Sequence, residues 1–509
     1  MPRYAAIDIG SNSVRMLAAE AETSTGIRTL ASEREVTRLG QSVFRTGRVS
    51  HEAMDLVCTV LQRMAQTYQK LNVLGIRVVA TAAIRDASNQ QEFLKRASEA
   101  VGSPVETISG QEEARLIHLG VQTMWPHPGK RVLMIDIGGG SAEIILSQDR
   151  RIEYAVSKQL GALRLCEIFL RSDPPRASEL RRLESYIEER IAPAMRKVGA
   201  REIDRVIATS ASASAAVSAI NMVPRTRRDE ADRKRASLPQ LRKLYKDVSV
   251  RSLEERRKLV GIGPRRAEII VPGIAVLVRI LEDLELPALY HSAAGVRDGI
   301  IADLAARGAG VNLTQLGAEQ LGTVEEMAER YHEPLKHVRK VARLASTLFT
   351  GLHSLHQLSP LYGRLLEAAA YLHDIGHFVS DNKHHKHSYY LVANSDMPGF
   401  TARERELIAN LCRYHRKAAP SDTHGNWQSL DLEARRAVTF LAPILRLADN
   451  LDRSQDQRVK DVQCVVRPGD VLLELKGDGD IDLDTWAADR AGDVFEQVYG
   501  RRLSVVTAR

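Results

Sequence analysis

Residues Tyr4–Ala19 read YAAIDIGSNSVRMLAA, and residues Val132–Leu146 read VLMIDIGGGSAEIIL. Each is an apolar run closing on Asp, then a turn of Gly, Ser and Asn, then a second apolar run. Short apolar runs bounded by turn residues are the pattern of buried strands, and small residues at the turn tolerate the positive φ of a tight hairpin. The Asp-Ile-Gly triplet recurs with the same flanks about 128 residues later. Two such hairpins predict two similarly built α/β lobes that face one another.

Outward from the first hairpin, the pattern predicts a helix over 50–70, a strand over 75–80 and a helix over 89–102. A short strand over 105–108 then leads to a helix opening at Gly110–Glu113. The second lobe follows a related course, with a helix over 179–198, a strand over 205–208, a helix over 268–284 and a strand over 288–292. Strands alternating with helices on this scale indicate α/β architecture. From about Leu313 to Arg453 strands give way to helical periodicity with many histidines. The last 50 or so residues return to strands (462–466 and 471–475) around a helix over 485–498. The expected organisation is therefore lobe I over 1–127, lobe II over 128–308, a helical domain over 309–457 and a small α+β domain over 458–509.

At 509 residues, with 44% hydrophobic and 27% charged residues, the chain is too long for a single core and too apolar for disorder. Its four cysteines, Cys58, Cys166, Cys412 and Cys464, form no CxxC pair, which excludes a disulfide scaffold and a cysteine-based zinc site. No apolar stretch approaches the roughly 18–20 residues of a membrane helix, and the N-terminus has no signal-peptide core, so a cytoplasmic protein is expected. The net charge of +8 points towards polyanions. Between Val223 and Leu259, 13 Lys/Arg face six acids. That stretch reads equally as a solvated helical face or as a phosphate-binding stripe. Its single aromatic, Tyr245, gives no support for base stacking, and no nucleic-acid partner is expected.

A small-residue turn after a strand presents backbone N–H groups to phosphate oxygens, and an Asp at the strand end can hold a metal ion or its water. The candidates are Asp8, Gly10, Ser11, Asn12, Ser13 and Arg15 in the first lobe. In the second they are Asp136, Gly138, Gly139, Gly140, Ser141 and Glu143. With AAIDIGSNSVR (Ala5–Arg15) and IDIGGGSAE (Ile135–Glu143) stand ATAAIRDASN (Ala80–Asn89) and ISGQEEARLIHLGV (Ile108–Val121). GIGPRRAEIIVPG (Gly261–Gly273) and AAGVRDGII (Ala293–Ile301) complete the set. In this order the six motifs resemble the exopolyphosphatase/guanosine pentaphosphate phosphohydrolase family of the actin-like ATPase superfamily.

The resemblance implies hydrolysis of a terminal phosphoanhydride by water, with Mg²⁺ as counter-ion. It gives Glu113 the place of the catalytic base, where surrounding phosphate charge would raise its pKa. Arg85 takes the place of the arginine that grips phosphate. Asp136 and Glu143, with Asp8 as a third acid, are the expected Mg²⁺ ligands, and Arg265 and Arg266 are expected near the cleft. One departure is the glycine-free ATSASASAA (Ala208–Ala216) where relatives often carry a Gly-rich turn, which leaves the roles of Thr209 and Ser210 open.

In the helical region His337, His373-Asp374 and Asp449 follow the pattern of an HD domain. Two His and two Asp from three helices make a candidate set for a second divalent metal. His387 and His415 are expected at the same pocket, and His384 and His385 read equally as surface residues. Lys383, Lys386, Arg413, Arg416 and Lys417 fit a track for a long polyanion. The expected reaction is exolytic removal of orthophosphate from inorganic polyphosphate. The alternative is conversion of guanosine pentaphosphate (pppGpp) to the tetraphosphate (ppGpp). Two further readings are a non-catalytic polyphosphate or ppGpp sensor and an HD nucleotidase with regulatory lobes. The resemblance also implies a homodimer.

Overall fold

The computed structural model describes residues 1–22, 26–199, 201–309, 314–417 and 419–507. The first hairpin forms β1 (Arg3–Ile9) and β2 (Val14–Glu22), extended by β3 (Gly26–Glu35), then β4 (Gly75–Ala80) and β5 (Val105–Thr107). The second forms β6 (Arg131–Ile137) and β7 (Ala142–Gln148), followed by β8 (Arg151–Lys158), β9 (Arg205–Thr209), β10 (Arg235–Ser237) and β11 (Ala288–His291). The sheet orders are β3-β2-β1-β4-β5 and β10-β11-β9-β6-β7-β8. Apart from the added edge strand β10, the two sheets are built alike: an antiparallel hairpin with a third antiparallel strand on one side, and parallel strands on the other. The echo in the sequence is thus a repeat of topology.

Register carries the echo down to single residues. Asp8 lies opposite Arg15 and Asp136 lies opposite Glu143. The inner strands are buried on both faces, as parallel central strands must be. Ala5, Ala6 and Ile7, like Val132 to Ile135, have essentially no exposure.

The helix Val296–Ala309, expected in lobe II from its place in the chain, packs instead on the first lobe. Its Ile300, Ile301 and Ala305 share a core with Tyr4, Ala6 and Leu17 of β1 and β2 and with Leu116 of the helix Gly110–Met124. The two helices meet through glycine: a Cβ on Gly299 would lie 1.9 Å from the Leu116 carbonyl oxygen, and one on Gly120 2.4 Å from that of Gly295. A buried ion network spans the same seam. Arg77 reaches Glu106 at 2.6 Å and Glu112 at 3.0 Å, and Arg115 joins Glu112 at 2.7 Å to Asp303 at 3.0 Å.

The helix expected over 268–284 forms as Ile270–Asp283, and a separate short helix, Pro264–Ala267, precedes it because Ile269 leaves helical geometry at φ −121°. The one expected over 485–498 is instead two helices, Asp482–Asp489 and Gly492–Tyr499. The chain forms two compact units, Met1–Ala309 and Gly310–Arg509. Leu313, where helical character was expected to begin, lies outside the described residues. In the second unit β12 (Val459–Val466), β13 (Asp470–Gly477) and β14 (Arg502–Thr507) form a three-stranded sheet. Its inward Val462, Leu473 and Leu503 belong to the same core as the helices, so the division expected at 457/458 is not a division between cores. Among the described residues no helix is long and apolar enough to cross a membrane.

Candidate active site

The two hairpin turns come together at the mouth of one cavity of about 400 Å³. Asp8, Gly10, Ser11, Asn12, Ser13 and Arg15 line it from the first lobe, and Asp136, Gly138, Gly139, Gly140 and Ser141 from the second. Both turns close alike, the Gly10 amide donating to the Ser13 carbonyl at 3.1 Å and the Gly138 amide to the Ser141 carbonyl at 2.9 Å. They touch, and only glycine permits it: a Cβ on Gly140 would lie 2.5 Å from Ser11 Oγ, and one on Gly139 3.0 Å from the Asn12 nitrogen. Carbonyls of the second turn are committed elsewhere, since Ala162 N donates to Gly138 O at 2.9 Å and Leu163 N to Gly139 O at 3.0 Å. Arg164 fastens this turn to lobe I. Its Nε donates to Gly140 O at 2.7 Å, it pairs with Asp86, and it stacks 4.1 Å over the Phe44 ring.

Glu113 enters from the first turns of the helix Gly110–Met124, which Ser109 caps by accepting from Glu112 N at 3.2 Å. Gly110 sets the depth, because a Cβ there would lie 2.3 Å from Ser157 Cβ on β8. The adjacent glutamates divide their work. Glu112 belongs to the ion network beneath the sheet, whereas Glu113 faces the cavity with Oε2 buried and without a hydrogen-bond partner. Arg85 Nη1 stands 3.5 Å from that carboxylate and donates to Ile108 O at 2.6 Å. Burial, and then the Glu143 charge, raise the Glu113 pKa well above the ordinary carboxylate range.

Glu143 is fully buried just behind the lining. It accepts from Ser157 Oγ at 2.7 Å, and burial and Asp136 push its pKa up to about 7. Burial also raises Asp8 and Asp136, the latter restrained by a hydrogen bond from Thr209. This gives Thr209 a positioning role. Ser210 also lines the cavity, at φ +79°, a left-handed conformation that favours glycine. These four acids have raised proton affinity and Oε2 of both Glu113 and Glu143 lacks a partner, so the donor set suits a hard cation. They do not converge on a single point, since the ligand groups within 4.8 Å of one another among the described residues lie in the helical unit. That spread matches Mg²⁺, which takes one or two carboxylates and completes its shell with water and substrate phosphate.

Five arginines line the same cavity. Arg15 and Arg266 were expected. Arg34 on β3, Arg228 and Arg297 were not, although Arg297 lies within the AAGVRDGII motif. Burial lowers the pKa of Arg34, Arg266, Arg228 and Arg297, and Arg15 beside them lowers each further. Because guanidinium stays charged in proteins, such crowding creates a strong demand for a polyanion. Arg265 is not part of it. It is largely exposed and pairs with Glu35 at 3.4 Å, the alternation of a short helix turning it away from Arg266. The basic stretch from Val223 to Leu259 forms ion pairs such as Arg242–Glu282, Arg251–Asp247 and Arg256–Asp173, and of its basic residues only Arg228 reaches the cavity, beside Asp229.

In the helical unit His337, His373, Asp374 and Asp449 place one ligand atom each within 4.8 Å of the others. His384 and His385, which read equally as surface residues, are buried, and His384 and His415 both contact Asp374. His387 is half-buried and makes no such contact. Lys383, Lys386, Arg416 and Lys417 are exposed, while Arg413 lies half-buried over the Tyr414 ring.

The profile of the Ppx/GppA phosphatase family matches residues 17–307, and that of Ppx/GppA phosphatase domain III matches 320–480. The guanosine-5'-triphosphate,3'-diphosphate pyrophosphatase of Aeromonas hydrophila is 30% identical over 459 residues, covering 88% of this chain and 87% of its own. The protein of the same name from Aliivibrio fischeri strain MJ11 is 28% identical, covering 96% and 93%. Among solved structures, the Aquifex aeolicus member of the Ppx/GppA family superposes with a TM-score of 0.53 at 28% identity, covering 60% of this chain and 98% of its own. An exopolyphosphatase from Cytophaga hutchinsonii does so with a TM-score of 0.56 at 25% identity, covering 61% and 99%. With a family match over both lobes and relatives aligned along nearly the whole length, this chain belongs to the Ppx/GppA phosphatase family.

Proposed function

We propose that the chain hydrolyses a terminal phosphoanhydride in the cleft between its lobes, with guanosine pentaphosphate as the leading substrate. The observation that carries the chemistry is Glu113, whose buried Oε2 accepts no hydrogen bond, in one cavity with five arginines. The guanosine pentaphosphate reading rests on the names of the two curated relatives that cover nearly the whole chain. Inorganic polyphosphate, the substrate expected from the sequence, is the second reading. It is favoured by the number of arginines in the cavity and by the exopolyphosphatase among the structural neighbours.

In this reading the substrate's phosphates lie on the two small-residue turns, neutralised by Arg15, Arg34, Arg228, Arg266 and Arg297. Glu113 Oε2 holds the attacking water and takes its proton, for which its raised pKa suits it. Arg85, beside that carboxylate, orients it and meets charge on the phosphoryl group in flight. Asp136, Asp8 and Glu143 would hold Mg²⁺ or its waters, and the ion would supply neutralisation of the anhydride charge. The adjacent Glu112 does not compete for the role of base, since Arg77 and Arg115 hold it.

The test is phosphate release in Mg²⁺ from guanosine pentaphosphate and from long-chain polyphosphate, for wild type and Glu113→Gln. Glu113→Gln is expected to lower kcat by about 10²–10⁴ with KM little changed. Faster turnover of polyphosphate than of pentaphosphate would transfer the assignment to the second reading. Full activity in Glu113→Gln would overturn the mechanism.

A further inference from the structure

The helical unit contains a second cluster whose polar atoms point at one another without hydrogen bonding. The Nε2 atoms of His337, His373, His384 and His415 and Oδ1 of Asp374 are buried, and none has a hydrogen-bond partner. The four imidazoles are at most 3% exposed. Buried polar atoms normally find partners, so five orphans at one spot describe a place shaped for something else.

Their orientation is fixed from outside. His373 Nδ1 donates to Ala370 O at 2.9 Å, His415 Nδ1 to Cys412 O at 2.8 Å and His384 Nδ1 to Asp381 O at 3.3 Å. His337 Nδ1 is 2.8 Å from Asp452 Oδ2. A proton held on Nδ1 leaves the Nε2 lone pair free and aimed inward, which is how imidazole ligands are set for a metal. Gly376 brings the parts together, because a Cβ there would lie 2.1 Å from His384 O and hold the helix His384–Ala393 away from the turn after His373.

The separations come close to those of a coordination shell, His337 Nε2 being the farthest out at 3.8 Å from Asp449 Oδ1. With metal–ligand bonds of about 2.1 Å, neighbouring ligand atoms lie about 3.0–3.5 Å apart. His384 Nε2 and His415 Nε2 are each 3.2 Å from Asp374 Oδ1, and His373 Nε2 is 3.5 Å from Asp449 Oδ1 and 3.6 Å from Asp374 Oδ2. The two oxygens of Asp374 therefore face different imidazoles. Two ligand groups share this residue: His337, His373, Asp374 and Asp449 in one, and Asp374, His377 and His384 in the other.

We infer that this is a two-metal centre bridged by Asp374. One ion is held by His337, His373, Asp374 and Asp449, and the second by Asp374, His384 and His415. The side towards His377, whose side chain is 36% exposed, is open for water or an exogenous ligand. Imidazole-rich sites of this kind take divalent transition ions such as Mn²⁺, Co²⁺ or Zn²⁺ in preference to Mg²⁺. The chain would then carry two chemically distinct metal sites, the oxygen-lined cleft and this centre.

The test is metal stoichiometry on the full chain, stripped by chelator, reloaded with Co²⁺ in excess Mg²⁺ to block oxygen-only sites, and desalted. Element analysis and Co²⁺ visible absorption are expected to give two equivalents for wild type. The pair His384→Gln with His415→Gln should retain one, the pair His337→Gln with Asp449→Asn should retain the other, and Asp374→Asn should lose both. Circular dichroism identifies any variant that fails to fold, and the wild-type count stands without them. A wild-type count of one or none overturns the inference, as does retention of both ions in the folded His384/His415 variant.

Discussion

At the residue scale the cleft is defined by which buried charges have been left uncompensated. Asp8 and Asp136 occupy equivalent strand ends, yet the residue across the ladder is Arg15 in one case and Glu143 in the other. That single difference sets a second buried carboxyl beside Asp136, where burial and the Asp136 charge favour its protonated form. Glu143 holds its proton to about pH 7 in the folded protein, against about 4.5 for an ordinary Glu. A raised folded pKa means the folded state binds the proton more tightly than the unfolded chain does. The associated stability is present in full below pH 4.5 and is lost as pH rises through about 7. Thermal unfolding of metal-free protein should therefore show a midpoint that falls between pH 5 and pH 8. Glu143→Gln should flatten that fall, and an unchanged slope would show that Glu143 is not the group responsible.

At the element scale the position of Glu113 depends on how the helix Gly110–Met124 is wedged between β8 and the helix Val296–Ala309. Gly→Ala inside an exposed helix is ordinarily stabilising by about 0.4–1 kcal/mol. At Gly299 the close approach to the Leu116 carbonyl wins, because the backbone itself obstructs the new methyl. Gly299→Ala is expected to destabilise by about 1–3 kcal/mol, read from the thermal midpoint, and to reduce phosphate release by displacing the helix that carries Glu113. A stabilised Gly299→Ala with full activity would contradict this packing. The basic stretch is the complementary lesson. Its charge was plain in the sequence, but its destination was set by neighbours such as Glu282, Asp247 and Asp173 that are 4 to 83 residues away in the chain.

At the scale of the whole molecule, a cavity with five arginines in a chain of net charge +8 should attract its substrate from a distance. Raising ionic strength from about 0.05 to 0.5 M shortens the Debye length from about 14 Å to 4 Å. KM for a polyphosphorylated substrate is expected to rise several-fold over that range while kcat changes little. A salt-independent KM would mean that the arginines act only at contact. The two compact units keep separate cores, with lobes and helical unit each internally packed.

Local pattern determined a good deal here. Apolar runs with Gly/Ser turns specified both hairpins, because strand alternation and tight-turn chemistry are properties of a few adjacent residues. Their repetition specified two like-built sheets and marked the Asp, Gly and Ser of each turn as cavity residues, whereas Glu113 and Arg266 were reached only through the resemblance to a known family. The tertiary structure decided what adjacency cannot. It separated Arg266 from its neighbour Arg265 and Glu113 from Glu112, brought Arg34, Arg228 and Arg297 in from three distant segments, and returned the helix Val296–Ala309 to the first lobe. It also turned His384 inward and left His387 outside the cluster. Electrostatic fields and buried contacts act through space, so the residues that share a charge or a lone pair are chosen by packing and not by their order along the chain.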